Sequence, residues 1–503
     1  MKIAGLDIGT TGCKCSVFSE DGVCLGRAYR DYPVSRSGSR QELDAGALLE
    51  KVYEVLAESA AAYPDIAGIG VTSFGETFVM TDGDGVPLRP AMLYTDPRGR
   101  EQCAFLTEKF GGRELMRRTG LRAHEMYGLP KMMWIREHEP EVFRRCAYLF
   151  QMEDFVVYHL TGRRQIDYSL ATRTLGFDIE TCQWCTEIFE AAGIDPDRLS
   201  RPVPTGTDAG EITPAAAART GLNPSTHVIS ISQDQLAAAV GAGVFDSSCA
   251  VDGAGTVECL TPLFDRMPDL DTMYRGSFAV IPYVVPGKYA TYAFSYTGGS
   301  LLAWCTDTAA KKEKELAAEA GCSVNEYLER SSRSPTGLLV LPHFSGAATP
   351  YMDLGSRGAI LGLTLEATTA DLYRGCMEGI AYEMLLNLNA LEGSGCCFRA
   401  LKATGGGARS RTWMQMKADV LNLPITALKV EDAGTVGSAM LTGIAIGAFS
   451  GLPEAAELMI QEGDTYYPDP AMHERYLCEY ERYEQVYRAV RPLMDEPEES
   501  PAR

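Results

Sequence analysis

The sequence predicts an α/β protein built from two related halves, and three observations carry that expectation. A strand, a turn of small residues and a second strand open the chain in "GLDIGTTGCKCSVFSEDG" (residues 5–22). The same theme returns in "CAVDGAGTVECLTPL" (249–263). Each beginning is followed by segments with the apolar spacing of helices, the alternation that builds α/β domains. The natural cut falls in "AVGAGVF", giving residues 1–243 and 244–490, with an acidic tail at 491–503 expected to be disordered.

In chain order, "KIAGLDIG", "KCSVFS" and "VCLGRAYRDYP" read as a β-meander turning at "EDG". Helices are expected in "GALLEKVYEVLAESAAAY" and "KMMWIREHEPEVFRRCAYLF", and a buried strand in "IAGIGVTSF". An apolar strand, "VISIS", then delivers "QDQ" to a helix of small residues. In the second half, helices are expected around "LLAWCTDTAAKKEKELAAEA", at 369–392 and at 410–421. The repeat of the opening theme is inexact, since Asp252 stands four residues before Thr256 whereas Asp7 stands three before Thr10. A duplicated architecture is expected, but not duplicated roles for the two aspartates.

Composition excludes several function classes. With 46 Lys and Arg against 67 Asp and Glu, the net charge of −21 argues against binding nucleic acid or an anionic membrane. No signal peptide opens the chain and no apolar run approaches the roughly 20 residues of a membrane span, so a cytoplasmic location is expected. The fifteen cysteines include one CxxC pair, Cys182 and Cys185, with no second pair at zinc-ligand spacing, and read as reduced thiols.

Three glycine-rich turns are candidate phosphate cradles. In "DIGTTGCK", backbone N–H groups, the hydroxyls of Thr10 and Thr11 and the charge of Lys14 suit an anion, and Asp7 suits one only through a divalent cation. Taken alone, the stretch is equally well an ordinary hairpin in which Asp7 caps the turn. "TGGGARS" opens a helix near Ser410, and "YTGGS" precedes another; each alone is more often a flexible turn. No GxxxxGK[ST] occurs. Asp234, at a strand's carboxyl end with Gln235 beside it, is placed for a general base, although from its own surroundings a helix cap is the better reading. Glu76, after the buried strand, reads either as a ligand-binding acid or as a solvated turn residue.

The combination is more specific than its parts. "GLDIGTTGCK", "LRPAMLYTDPRG", "KMMWIREHEPEVF", "YHLTGRRQIDYSLATRT", "SQDQLAAAVGAG", "GAGTVE", "RGAILGLTLEATTADLYRGCMEGIAYE" and "TGGGARSRTWMQMKADVLNLPI", in this order, resemble the FGGY family of carbohydrate kinases from residue 3 to about 450. The resemblance implies two ribonuclease-H-like domains of the actin and hexokinase type flanking a catalytic cleft for sugar and MgATP. It implies Asp234 as catalytic base and Asp7 as the acid associated with Mg²⁺. Thr10, Thr11, Lys14, Gly255, Thr256, Gly299, Gly406, Gly407 and Ser410 are implied on ATP.

Gly75, Glu76, Asp234 and Gln235 are implied on the substrate. Because a buried Glu76 would accept hydrogen bonds and repel an acid, a neutral ketopentose such as xylulose is favoured over gluconate. A glycerol or polyol kinase and a gluconate kinase are the alternatives within the family. A non-catalytic nucleotide- or sugar-binding regulator of actin-like fold is the alternative outside it. A homodimer is an assembly compatible with this class.

Overall fold

The computed structural model describes residues 1–331, 335–429 and 432–495. Its frame is a pair of six-stranded sheets. The first sheet is formed by β1 (Lys2–Ile8), β2 (Gly12–Ser19), β3 (Cys24–Asp31), β4 (Ile66–Ser73), β5 (Thr207–Glu211) and β6 (His227–Gln233), in the order β5-β6-β4-β1-β2-β3. The second is formed by β7 (Ala250–Ala254), β8 (Glu258–Thr261), β9 (Ala293–Ser295), β10 (Leu401–Thr404), β11 (Ile425–Leu428) and β12 (Glu462–Tyr466), in the order β9-β8-β7-β10-β11-β12.

The two sheets repeat one plan. β1 and β7 each pair antiparallel with the next strand and parallel with a later one, and an antiparallel strand closes the far edge of both sheets. β1 and β4 are covered on both faces, which explains their nearly continuous apolar sequences. The expected duplication is thus present in the sheets.

The helices follow local signals. α1 (Ala45–Ala62) starts at Asp44, whose carboxylate accepts the Ala47 N–H at 3.0 Å, and it buries Leu48, Leu49, Val52, Val55 and Leu56 along one face. "KMMWIREHEPEVFRRCAYLF" is not one helix. Pro140 cannot continue the helix Gly128–His138, so a second helix, Pro140–Arg145, and a strand, Tyr148–Gln151, follow. The stretch after residue 299 is likewise split at Ala310 into α2 (Gly299–Ala309) and α3 (Lys311–Glu319). The expected long helix is α4 (Thr369–Ala390), opened by a capping box between Thr368 and Asp371.

One helix crosses the boundary expected at 243/244. Ala433–Ala445 lies in the second half of the chain yet packs on β1, on β4 and on the helix Asp234–Gly241 that follows β6. Ser438 donates to the Gly70 carbonyl at 2.9 Å. The two helices touch through glycine: a Cβ on Gly437 would collide with the Ala237 carbonyl, and one on Gly241 with that of Ala433. Gly437→Ala is therefore expected to cost roughly 1–3 kcal/mol, as overpacking of a tight core does. A urea titration against the unmodified chain checks it.

The tail begins in contact with the body. Arg491–Leu493, placed by the sequence in a disordered segment, form a 3-10 turn, and Arg491 pairs with Asp353. Residues 496–503 of that segment lie outside the described residues. No helix among the described residues is long and apolar enough to cross a membrane. All fifteen cysteines are free thiols.

Candidate active site

The acids of the first half gather where the parallel strands of the first sheet end, the place at which open α/β sheets hold ligands. Asp7 is the penultimate residue of β1, Glu76 follows β4, and Asp234 follows β6. Asp234 opens its helix, and its Oδ1 accepts the Gln235 N–H at 2.7 Å. Burial, then the neighbouring Asp7 carboxylate, pushes its pKa up to about 8, with Glu76 adding to the rise. Gln235 faces the second half: a Cβ on Gly253 would lie 3.9 Å from its Oε1.

Asp7 and Lys14 stand opposite each other in the β1–β2 register. The Lys14 ammonium bridges Asp7 Oδ2, at 3.0 Å, and Asp432 Oδ2, at 2.9 Å. Burial and Asp432 raise the Asp7 pKa while Lys14 opposes them. Asp7 Oδ1 is buried without a hydrogen-bond partner, a spare acceptor beside the cleft. This donor set fits Mg²⁺, which binds through one or two carboxylates and substrate phosphates while keeping several waters. Among the described residues no group of three or more His, Cys, Asp or Glu could hold a metal by itself, so the phosphates would have to complete the shell.

In the second half, a cavity of about 1130 Å³ is lined by Gly255, Thr256, Gly299, Gly406, Gly407 and Ser410, all six selected from the sequence in that half. Gly299 and Ser300 at the start of α2 donate to the carbonyls of Gly255 and Thr256 at 2.9 and 3.1 Å, which fixes the loop against the helix. Ser410 is more committed than expected. Its hydroxyl accepts the Trp413 N–H at 3.0 Å and donates to Glu329 at 2.9 Å, so it caps a helix at the cavity wall. Thr10, Thr11 and Lys14 are not among that lining. Thr10 and Thr11 belong to the loop between β1 and β2 and Lys14 to β2 itself; Thr10 approaches the Tyr94 hydroxyl and Thr11 borders a separate hollow beside Tyr29 and Tyr32.

Glu76 departs most from expectation. Its carboxylate is 4% exposed and pairs through Oε1 with Nε and Nη2 of Arg173, which is itself buried. A guanidinium therefore neutralises it, and repulsion of a sugar acid by a bare carboxylate does not follow. Gly75 lies against the Arg173 side chain, which would crowd a Cβ there at 3.0 Å.

Behind the second loop lies a buried triad that sequence reasoning missed. Lys417 donates to Asp252 Oδ2 at 2.8 Å and to Glu258 Oε1, with its ammonium 4.4 Å from the Trp413 ring. Asp252 and Glu258 flank the loop on β7 and β8, whereas Lys417 and Trp413 belong to the helix that Ser410 caps. Burial, opposed by the Lys417 ammonium and helped by the Asp252 carboxylate, raises the Glu258 pKa above the ordinary value. Lys417→Met is expected to cost roughly 3–5 kcal/mol, the loss seen when one partner of a buried pair is removed. Glu258→Gln, which keeps the shape and an oxygen to accept from Lys417, should cost less, and guanidinium titrations of both variants check the contrast.

Two further residues lie apart from these acids. His343 is a buried network residue, bonded to Ser356 at 2.8 Å and Glu383 at 3.0 Å. Trp304 is 39% exposed and leans on Phe344.

Comparison with known proteins adds independent findings. The model of the N-terminal domain of the FGGY family of carbohydrate kinases matches residues 2–241, and that of its C-terminal domain matches 271–446. The chain is 29% identical over 499 residues to the xylulose kinase of Bacillus subtilis, covering 98% of this chain and 97% of that protein. It is 26% identical over 475 residues to the gluconokinase of the same organism, covering 93% and 91%. The crystal structure of xylulose kinase from Rhodospirillum rubrum superposes with a TM-score of 0.87 at 27% identity, over 98% of this chain and all of that one.

Proposed function

The chain belongs to the FGGY family of carbohydrate kinases, and from that premise we propose that it transfers the γ-phosphoryl group of ATP to a hydroxyl of a ketopentose such as xylulose, with Asp234 as general base. The observation that carries this reading is the convergence of Asp7, Glu76 and Asp234 at the strand ends of the first sheet, together with a glycine-lined cavity in the second half. Phosphoryl transfer asks little covalent work of a protein, and what it does ask is alignment, charge neutralisation and exclusion of water.

The residues divide that work. Gly255, Thr256, Gly299, Gly406 and Gly407 offer the nucleotide backbone at close range, while Thr10 and Thr11 offer hydroxyls from the opposite loop. Asp7, oriented by Lys14 and Asp432, would hold Mg²⁺ through its spare Oδ1. That ion supplies neutralisation of phosphate charge. Gln235 and Glu76 orient the sugar, and Asp234 Oδ accepts the proton of the attacking hydroxyl as the new P–O bond forms and the bond to ADP breaks.

The raised pKa of Asp234 sets the sign of the pH dependence, because only its ionised form accepts a proton. A regulator without chemistry has no need of two such acids at one cleft. The ketopentose is favoured by the relatives named xylulose kinase, and the gluconokinase relative keeps a sugar acid as the second candidate. Initial rates of ADP release across ketopentoses, polyols and aldonates test the substrate class. The highest kcat/KM is expected for a ketopentose; a highest value for gluconate would reassign the substrate.

A further inference from the structure

Phosphoryl transfer as described leaves Arg173, a buried group next to the acids, without a role. Arg173 is 5% exposed and joined to Glu76 through Nε and Nη2, which both reach Oε1. Its guanidinium carbon lies 5.2 Å from the Tyr127 ring and 5.6 Å from the Tyr292 ring. The third arm, Nη1, is buried and has no hydrogen-bond partner. A charged donor left so is costly unless a ligand completes it. A second observation points to the same place: Glu76 holds φ +64°, a left-handed conformation that a non-glycine residue keeps only when its surroundings enforce it. The strained residue and the spare donor form one unit beside Asp234, whose charge both Glu76 and Tyr292 sense.

We propose that Arg173 is a specificity residue, whose Nη1 donates to the carbonyl oxygen of an open-chain ketose while the Glu76 carboxylate accepts from a neighbouring hydroxyl. A carbonyl oxygen only accepts, so it completes the guanidinium and needs nothing further. The corresponding polyol carries a hydroxyl there. That hydroxyl can accept from Nη1, but its own proton must then find an acceptor while Glu76 and Asp234 are engaged by the neighbouring and the attacking hydroxyls, and the flanking Tyr127 and Tyr292 rings provide none of comparable strength. The pocket therefore prefers a ketose to the polyol of the same carbon chain. The inference rests on the kinase reading above and adds to it the functional group that is recognised.

The test compares kcat/KM for xylulose and for the pentitols in the wild type and in Arg173→Lys, which keeps a cation for Glu76 but has no third arm. The wild type is expected to favour the ketose, and the variant to lose about tenfold of that ratio, the scale of a charge-assisted hydrogen bond, with KM for ATP unchanged. Should Arg173→Lys melt early, the double variant Glu76→Gln/Arg173→Gln, which leaves no unpaired charge, carries the same expectation for the ratio. Equal use of ketose and polyol by the wild type would overturn the inference. So would an equal loss on both substrates in a folded variant. Absence of turnover on every sugar would overturn the kinase reading with it, a result distinct from kinase activity that ignores the carbonyl.

Discussion

Asp234→Asn is expected to lose turnover by roughly 10²–10⁴-fold, the contribution of a positioned general base, while still binding sugar and MgATP. The amide keeps the shape of the carboxylate and can no longer take the hydroxyl proton. The same substitution should stabilise the free protein. Burial raises the Asp234 pKa from 3.8 to about 8, so between about pH 4 and pH 8 the folded chain holds a proton that the unfolded chain has released. This group's contribution to stability therefore falls as pH rises through that window and stays lost above it. The melting temperature of Asp234→Asn relative to wild type should climb from pH 4 to pH 8 and then level. Near-wild-type turnover would remove Asp234 from the chemistry.

Asp7→Ala comes second in its expected effect on activity and differs in kind. Asp7 faces Lys14 and Asp432, and its spare Oδ1 is the acceptor available to a cation. Without it, half-maximal activity should require at least about tenfold more Mg²⁺, the order of one lost charge-assisted interaction. Sugar affinity measured by calorimetry without nucleotide should hold. An unchanged Mg²⁺ titration would reduce Asp7 to a turn residue whose role is to pair with Lys14.

What the sequence made legible were features written locally. Asp7 and Asp234 each stand at or just past the end of an apolar strand, and the glycines at 255, 299, 406 and 407 break patterns that otherwise read as strand or helix. These signals need only neighbouring residues, so they survive without knowledge of the fold. Arg173 does not have that advantage. It lies 97 positions from Glu76, in a segment whose spacing says nothing of charge pairing. Lys417 likewise finds its partners 165 and 159 positions away, and nothing beside it in the sequence announces them.

Pairing across such distances is decided by how the sheets bring their strand ends together. The helix Ala433–Ala445, which packs on the first sheet from the second half of the chain, was illegible for the same reason. The interruption at Ala310 carries no proline or glycine to announce it. Pro140 carried a local signal for its break, which the helical spacing around it overrode in the reading of that stretch.

The most direct test of the central claim is a mass balance. Wild-type protein is incubated with MgATP, with and without xylulose, and both ADP and sugar monophosphate are quantified. Phosphoryl transfer to the sugar requires the two products in equal amounts, and only a trace of ADP when sugar is omitted. ADP released equally with and without sugar, or no sugar phosphate from any ketose, polyol or aldonate supplied, would contradict it.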